Sequence, residues 1–330
     1  MANLALRNPQ FKSIAIPSSG VLSTVCTVTI DGTLRYTLVK NVQPSTTINF
    51  DIAELARDYI EITYQSDYIP QTVSILTVLT NKAGLNGTGA NVGLDISSTD
   101  KGFEAYGVFT EGVNPVIPFG RSLPTYLIPI NETTSPDTFT ILAPNNQTGK
   151  LPSITSSSGL IATSFSASAT SVTAEGVVCN IKRIDCTKYG EGNRIIYINK
   201  YGAQQDLWFF LKETRNLYRT NEGYKSNTIT YPSGGATYSV QDAPNKVFNT
   251  QAKQTHTFSS GYYPEFANEQ FEELLLSEFI WWSTFKKGSG IVIPLKVKTS
   301  SMAFKTSVND RLIEYTIEFE EAFDYINNIR

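Results

Sequence analysis

Apolar and polar residues alternate strictly near the end of the chain. Between positions 313 and 319 every second residue is apolar, namely Ile313, Tyr315, Ile317 and Phe319, and the residues between them are Glu or Thr. Ile291, Ile293, Leu295 and Val297 follow the same period of two, and the positions after Leu295 and Val297 are Lys296 and Lys298. A period of two is typical of a strand with one buried face. The pattern predicts that the chain closes on antiparallel strands whose outer face is charged.

The N-terminal part opens with a predicted hairpin. Two alternating segments, 24–30 and 34–40, flank the dipeptide Asp31-Gly32. Asp-Gly suits the positive φ angles of a type I′ turn, so these segments are predicted to pair. A strand at 46–50 follows, and Asp51 is expected to cap a short helix. The apolar side of that helix comprises Ile52, Leu55, Ala56 and Tyr59.

The rest of the chain is predicted as short strands and one long helix. Further strands are predicted at 72–80, 103–109, 125–130, 177–184 and 194–199, and 207–211 reads as a strand buried on both faces. The period changes over 265–282, where apolar residues recur at helical spacing at Phe271, Leu274, Leu275, Phe279 and Trp282. Glu269, Glu272 and Glu273 are expected to lie away from that face.

These elements predict a mainly β protein with two β-sandwich or barrel-like domains. The first domain is placed at 1–130 and the second at 172–330, with the long helix inside the second. Residues 131–171 are rich in Ser, Thr, Pro and Asn and are interpreted as a linker or extended arm. Residues 81–93 hold four glycines and are interpreted as a mobile loop.

Composition narrows the possible functions. Of 330 residues 41% are hydrophobic and only 17% charged, which suits surfaces that become covered in an assembly. The net charge of −3 and the lack of a dense Lys/Arg stripe argue against tight binding of a phosphate backbone. The N-terminus lacks the apolar core of a signal peptide, and no apolar run is long enough for a membrane helix. We expect a protein made in a reducing cytoplasm, without a membrane anchor.

Motifs for chemistry are sparse. The glycine-rich segment 81–93 matches neither a dinucleotide-binding nor a P-loop motif. The three cysteines, Cys26, Cys179 and Cys186, lack zinc spacing and are expected to be buried thiols. Three N-x-Thr sequons, at Asn86, Asn131 and Asn146, are interpreted as chance matches. We therefore predict no enzyme activity, no catalytic, cofactor-binding or metal-ligating residue, and no cofactor.

Three groups of residues allow a functional alternative to a structural role. His256, the single histidine, has no acidic residue or cysteine within four positions, so it is interpreted as a surface or interface residue. Glu269 and Glu273 have the residue types of a glycosidase pair, although carboxylates on a polar helix face are usually only solvated. The pair Trp281-Trp282 and Trp208 are assigned to the core, with Trp281 the one expected to reach a partner.

Several blocks of the sequence resemble a known class of protein. RIIYINKYGAQQDLWFF is followed by NEQFEELLLSEFIWW, then by IPLKVKTSSMAFK and the ending RLIEYTIEFEEAFDYINNIR, and the first half carries TVTIDGTLRYTLVK before INFDIAELARDYI. These blocks resemble bacteriophage tail and neck proteins, in particular the tail-hub or ring components of crAss-like phages of Bacteroidetes. They span most of the chain apart from its Ser/Thr-rich middle.

The resemblance implies a structural subunit of the virion tail, assembled in the cytoplasm of the bacterial host. It implies a homo-oligomeric ring or hub around the DNA exit channel, with other tail, portal or ring proteins as neighbours. Packaged DNA would pass nearby without being bound tightly. We expect the loop 81–93 and the arm 131–171 to become ordered against neighbouring subunits. Two alternatives remain open: a tail-tip protein that binds or degrades glycans, and a capsid-decorating or head-fibre protein.

Overall fold

The structure is a computed structural model, and its description covers residues 3–66, 71–106, 138–144, 149–155, 159–174, 177–184, 192–200, 202–283, 291–305 and 312–325. The described part is mainly β, as predicted, with several separate sheets and two short α-helices. The strands of the first half are β1 (Asn3–Ala5), β2 (Phe11–Ala15), β3 (Ser23–Ile30), β4 (Thr33–Asn41), β5 (Thr47–Asp51), β6 (Thr72–Lys82), β7 (Ile96–Phe103), β8 (Thr138–Pro144), β9 (Gly149–Thr155), β10 (Gly159–Phe165), β11 (Ser171–Ala174) and β12 (Val177–Ile184).

The second half contains nine more strands among its described residues. They are β13 (Asn193–Ile198), β14 (Gln204–Phe209), β15 (Glu213–Lys225), β16 (Ile229–Thr230), β17 (Thr237–Tyr238), β18 (Asn245–Pro264), β19 (Ile280–Ser283), β20 (Val292–Val297) and β21 (Leu312–Glu321). The helices are α1 (Ala53–Arg57) and α2 (Asn268–Leu276).

The chain divides into two compact units, each built from three segments. Unit 1 comprises Met1–Asp185, Ile196–Trp208 and Glu269–Phe279, and unit 2 comprises Cys186–Ile195, Phe209–Asn268 and Ile280–Arg330. The predicted division into 1–130, 131–171 and 172–330 stays a prediction. Residues 131–137, 145–148 and 156–158 of the middle segment and all of the strand predicted at 125–130 lie outside the described residues, and the described part of that segment contains β8, β9 and β10.

Unit 1 contains a five-stranded sheet in the order β1-β7-β6-β3-β4 and a separate β2-β5 pair. Side chains from both sheets and from the segment before α1 share one core, which includes Ile14, Val28, Ile30, Phe50, Ile52 and Val73. Burial of such large aliphatic and aromatic side chains is the main source of stability for a β module of this size.

The strand predicted at 103–109 is wrong within the described residues, because β7 ends at Phe103 and residues 104–106 are not a strand.

The predicted hairpin of unit 1 is confirmed. Strands β3 and β4 pair antiparallel through a turn at Asp31-Gly32, where both residues have positive φ, 47° and 78°.

Helix α1 is shorter than its apolar pattern suggests. Ile52 occupies the N-cap position, while the Asp51 carboxylate accepts hydrogen bonds from the backbone N–H of Ala53 at 3.1 Å and of Gln10 at 2.8 Å.

Unit 2 contains strands that pair antiparallel in the order β19-β20-β21-β18-β15. The alternation predicted for the closing strand is confirmed, because the four apolar side chains from Ile313 to Phe319 are all buried. Phe209, Phe258 and Phe319 form an aromatic core, with ring centroids 5.8 to 6.2 Å apart. On the outer face, Lys298 and Glu318 form the expected charged contact, a 2.8 Å ion pair.

The long helix predicted over 265–282 is wrong in its extent. One 3-10 turn, Glu265–Ala267, precedes α2, which is nine residues long and ends at Leu276. The Ser277 hydroxyl donates to the carbonyl oxygen of Phe279, and such a local side-chain bond competes with helix continuation. The following Ile280 and two tryptophans favour a strand, and they form β19.

Candidate assembly surface

A long antiparallel ribbon is the most exposed feature of unit 2. Strands β15 and β18 pair from Glu213 opposite Phe258 to Lys225 opposite Asn245, and the short β16-β17 pair lies beyond them. Residues 214–225 and 229–248 are all exposed. We call residues 214–251 the ribbon. At about 3.4 Å per residue, the twelve positions from 214 to 225 give it a length of ~40 Å.

The ribbon carries large hydrophobic side chains that contact little of their own chain. The exposed ones are Leu217, Tyr218, Tyr224, Ile229, Tyr231, Tyr238, Val240, Val247 and Phe248. Leu217 and Tyr218 are neighbours on one strand, so they point to opposite faces. Both faces of the ribbon are therefore apolar in part. A concentration of exposed large hydrophobic side chains on one two-stranded element favours a surface that binds another macromolecule.

A β-bulge shapes the outer half of the ribbon. The register shifts between Glu222 and Gly223, which leaves Phe248 as the extra residue on β18. Tyr224 and Phe248 lie side by side, with ring centroids 6.2 Å apart. A bulge raises the local twist of a two-stranded ribbon. It places a paired aromatic surface near the end of the long strands.

The outer end of the ribbon carries two lysines, Lys225 and Lys246, and two acids, Glu222 and Asp242, so its formal charges cancel. Lys225 and Lys246 occupy adjacent register pairs, since Tyr224 lies opposite Lys246 and Lys225 lies opposite Asn245. Neither lysine forms an ion pair within the part of the chain that the structure describes. Lys225 and Lys246 therefore lie next to the exposed aromatic pair in the register.

The base of the ribbon is fixed by a buried histidine. His256 is 1% exposed, so its interpretation as a surface residue is wrong. Its Nδ1 lies 2.8 Å from Glu213 Oε1, and its Nε2 lies 2.9 Å from Glu321 Oε1. An ionised carboxylate only accepts hydrogen bonds, so an imidazolium with a proton on each ring nitrogen can donate to both acids, whereas Gln254 Nε2, 2.9 Å from Nε2, can donate to that nitrogen when it carries no proton. The geometry is that of an imidazolium between two carboxylates.

Neighbouring groups complete this cluster. Gln254 Nε2 also donates to Glu321 Oε1 at 2.8 Å, and the Arg215 guanidinium donates to Gln254 Oε1, which fixes the amide orientation. The ring centroids of Trp282 and of the His256 imidazole lie 4.7 Å apart. Burial lowers the pKa of His256, but the hydrogen bonds and charges of Glu213 and Glu321 outweigh burial, so the pKa is raised.

The two helix carboxylates considered for glycan cleavage lie in unit 1 in different environments. Glu269 is partly exposed and accepts a hydrogen bond from Lys200 Nζ, whereas Glu273 is 1% exposed and its Oε1 lies 3.7 Å from the same amine. Glu273 therefore does not lie on the solvated side of the helix as expected. Burial is the main cause that raises the pKa of Glu273 to about 8.

Tyr106 belongs to the same buried region of unit 1. Burial raises the pKa of Tyr106, and the negative charge of Glu273 adds to this effect. The Arg7 guanidinium stacks on the Tyr106 ring, 4.9 Å from its centroid. Lys200 and Tyr106 were not singled out from the sequence, because each lies far along the chain from α2.

All three tryptophans are buried, at 7% for Trp208 and 8% for Trp281 and Trp282. Their assignment to the core is confirmed, and the expectation that Trp281 reaches a partner is wrong for the isolated chain. Both residues of the pair belong to a strand whose four residues are buried, which leaves neither ring free as a stacking platform.

The remaining predicted features are ordered locally or fall outside the description. Cys26 is buried, as expected, and burial raises its pKa to about 11. The side chains of Cys179 and Cys186, and the sequons at Asn131 and Asn146, lie outside the described residues. Asn86 lies in a 3-10 turn within the glycine-rich segment and exchanges two hydrogen bonds with Asn41, at 2.8 and 2.9 Å.

Among the residues that the structure describes, no three His, Cys, Asp or Glu side chains group as metal ligands would. None of the described helices combines the length and apolar character that crossing a bilayer requires. Comparison with family models, with curated proteins and with solved structures gives no match to this chain.

Proposed function

We propose that the protein is a structural subunit of a bacteriophage virion, a tail-hub or tail/neck ring component that assembles around the DNA exit channel. The observation that carries this proposal is the ribbon, whose two faces expose nine large hydrophobic side chains. A two-stranded ribbon has no second layer of its own chain to cover those faces. Assembly with neighbouring subunits would cover them. The sequence blocks described above support the same class of protein.

The same proposal includes the finer architecture and the surroundings. The two units would act as two β-sandwich or barrel-like modules, with the ribbon and the segment 131–171 as extensions toward neighbours. The subunit would assemble in the host cytoplasm, contact other tail, portal or ring proteins and form part of the tail. Its low net charge of −3 would let DNA pass without strong attraction to the phosphates.

Shortening the ribbon tests the proposal. We expect replacement of residues 219–252 by Asn-Gly to abolish self-association, because it removes the exposed apolar residues beyond Tyr218. The new turn would join Tyr218 to Lys253, which face each other in the register, so the His256 cluster stays intact. Sedimentation velocity at micromolar concentration should show oligomers for the full chain and monomers for the shortened chain, with matching circular dichroism.

Two results would contradict the assembly role. One is a full chain that stays monomeric at every reachable concentration. The other is a cryo-electron microscopy map of the intact particle in which this chain decorates the capsid or head fibre and is missing from the tail.

A glycan-cleaving tail-tip protein is favoured by one specific observation, the raised pKa of Glu273, since a general acid must hold its proton near neutral pH. Its 1% exposure argues against this alternative, because a sugar oxygen must approach within hydrogen-bond distance of the acid. Hydrolysis of host capsule or peptidoglycan that disappears in Glu273→Gln and persists in Glu269→Gln would establish the enzyme instead.

A further inference from the structure

Strand β15 has an open edge in unit 2. It pairs with β18 along one side, and none of the described strands pairs with its other side. Its 13 residues, Glu213–Lys225, contain no proline, and the bulge of the ribbon adds its extra residue to β18 and none to β15. An edge strand presents a row of unpaired N–H and C=O groups, with which another strand can pair.

The backbone groups of β15 alternate in direction. Just beyond the strand, the Ser226 N–H donates to the carbonyl oxygen of Pro244 across the ribbon, at 2.7 Å. Bonded and non-bonded positions alternate along an antiparallel pair. The even-numbered residues of β15 therefore direct their N–H and C=O groups toward β18, and the odd-numbered residues from Arg215 to Lys225 direct theirs away from it.

The opposite edge of the ribbon is less accessible to another strand. The bulge at Phe248 interrupts β18, and the Tyr325 N–H donates to the carbonyl oxygen of Ala252 at 2.8 Å. Bulges and covering segments are two ways in which proteins protect a strand edge from pairing. The edge of β15 is therefore the longer open edge of the ribbon.

A ribbon of two strands gains from additional strands. A two-stranded hairpin is marginally stable in water, and three or more strands are needed for independent stability. Two ribbons joined edge to edge would form four strands. The β15 edge of a second copy has the same length and the same alternation of backbone groups, so donors and acceptors match along the contact.

We propose that β15 of one copy pairs antiparallel with β15 of a second copy, with Asn221 of each copy opposite the other. This inference rests on the proposed assembly function and names one of its contacts. The contact is isologous, so it closes on a pair of subunits. It uses the edge of the ribbon and leaves the apolar faces of the joined ribbons for other neighbours.

Charge restricts the register of this pair. A two-fold axis between the strands places odd-numbered residues opposite odd-numbered ones, which suits the direction of their backbone groups. Like charges directly opposite each other are destabilising. A centre at Arg219 or Glu222 would place that residue opposite itself, and a centre at Thr220 would place Arg215 opposite Lys225.

A centre at Asn221 places no like charges directly opposite each other. It places Tyr218 opposite Tyr224 on both sides of the axis, and Arg219 opposite Gly223, which has no side chain to obstruct it. Cross-strand aromatic pairs stabilise a sheet. The odd-numbered residues within 217–225 would exchange about ten hydrogen bonds, as many as an interface of standard size contains.

Removal of one outward N–H tests the pairing. Asn221→Pro removes an N–H that points away from β18, so the hydrogen bonds within the ribbon stay intact. It also removes two bonds at the centre of the contact, one from each copy, and should weaken self-association at least ~10-fold in sedimentation velocity. Asn221→Ser keeps the N–H, so it is the matched control and should associate like the wild type. Unchanged thermal unfolding confirms that both variants are folded.

A cysteine at the centre tests the register. Residues opposite each other at a hydrogen-bonded position have Cα atoms about 5.5 Å apart, within the range that a disulfide spans. Asn221→Cys should therefore form a covalent dimer under mild oxidation, visible on a non-reducing gel. Two controls should remain monomeric on that gel: the wild type with its own three cysteines, and Thr250→Cys, which lies opposite position 221 on β18.

The outcomes separate this inference from the proposed function. An Asn221→Pro chain that associates like the wild type, an equal loss in Asn221→Ser, or an Asn221→Cys chain that does not cross-link overturns the β15 contact, while assembly through the apolar faces of the ribbon stands. A wild-type chain that is monomeric throughout overturns both.

Discussion

Replacement of His256 by Ala is expected to destabilise unit 2 by about 3 kcal/mol. The imidazolium is shared by Glu213 on β15 and Glu321 on β21, so its loss leaves two carboxylates facing each other near the aromatic core. Breaking a buried charge pair by removing one partner is costly because the other charge stays behind without compensation. The base of the ribbon and the end of the closing strand would lose their shared contact at the same time.

The stability that His256 gives to unit 2 should fall as the pH rises. The folded pKa of His256 is raised above its unfolded value of about 6.5, so the folded state binds the proton more tightly. The contribution of His256 is therefore fully present below pH ~6.5 and is lost as the pH rises through the folded pKa. Because the chain has a single histidine, His256→Gln should remove this contribution and leave only the separate dependence that Glu273 gives to unit 1.

Urea unfolding followed by tryptophan fluorescence measures the effect, since Trp282 contacts the imidazole ring. Glu318→Gln is the matched control: it removes an exposed ion pair on β21, and such pairs contribute at most ~1 kcal/mol. Equal stabilities of the wild type and His256→Gln at pH 6, or a wild type that gains stability from pH 6 to pH 8, would show that the imidazolium does not hold these strands.

The sequence was informative where a pattern reports on local geometry. The Asp31-Gly32 turn and the alternation from Ile313 to Phe319 appear in the structure as predicted, because turn chemistry and one-sided burial act on neighbouring residues. The length of α2 was not predictable from period alone. Its apolar spacing continues to Trp282, but the hydroxyl of Ser277 and the β-forming residues after it end the helix.

The candidate sites were harder to predict because their partners are distant in sequence. A search within four residues of His256 finds no acid, whereas Glu213 lies 43 positions before it and Glu321 lies 65 positions after it. The pairing of β15 with β18 and of β18 with β21 would have identified both acids as neighbours of His256. Arg215 and Phe319 lie opposite His256 on the two flanking strands. Glu213 and Glu321 are each two residues along their strand from these positions.

The ribbon itself was missed for a related reason. Its residues include Tyr224 and Phe248 on strands that look like ordinary sheet members, and only the tertiary structure shows that both side chains are exposed. Residues 231–235 have the Gly, Ser and Pro content typical of a loop, and the Gly235 N–H donates to the carbonyl oxygen of Pro232 there. Sequence patterns give the pairing of a hairpin more readily than its distance from the core.

Replacement of Glu273 by Gln is expected to stabilise unit 1 at alkaline pH. The pKa of Glu273 is about 8 in the folded chain, against about 4.3 for an unfolded glutamate. The folded state therefore holds a proton that the unfolded state releases, and the unfolding free energy falls as the pH rises from ~4.5 to ~8. At 1.36 kcal/mol per pKa unit the total loss is about 5 kcal/mol.

Burial is the largest cause of this shift, and the positive charge of Lys200 only partly opposes it. Gln has nearly the same shape as protonated Glu and cannot ionise. The variant should match the wild type at pH 5 and exceed it by about 2 to 4 kcal/mol at pH 8.5, a difference to be measured by urea unfolding followed by circular dichroism at both pH values.

Glu269→Gln serves as the matched control, because Glu269 contacts the same lysine but has a side chain that is 46% exposed. Its change should stay below ~1 kcal/mol at either pH, since exposed ion pairs contribute little. A Glu273→Gln variant that is equally destabilised at pH 5 and pH 8.5 would mean that the carboxylate is ionised in the folded chain and paired with Lys200. In that case the charge of Glu273 would stabilise α2, and burial of the neutral acid would not describe this part of unit 1.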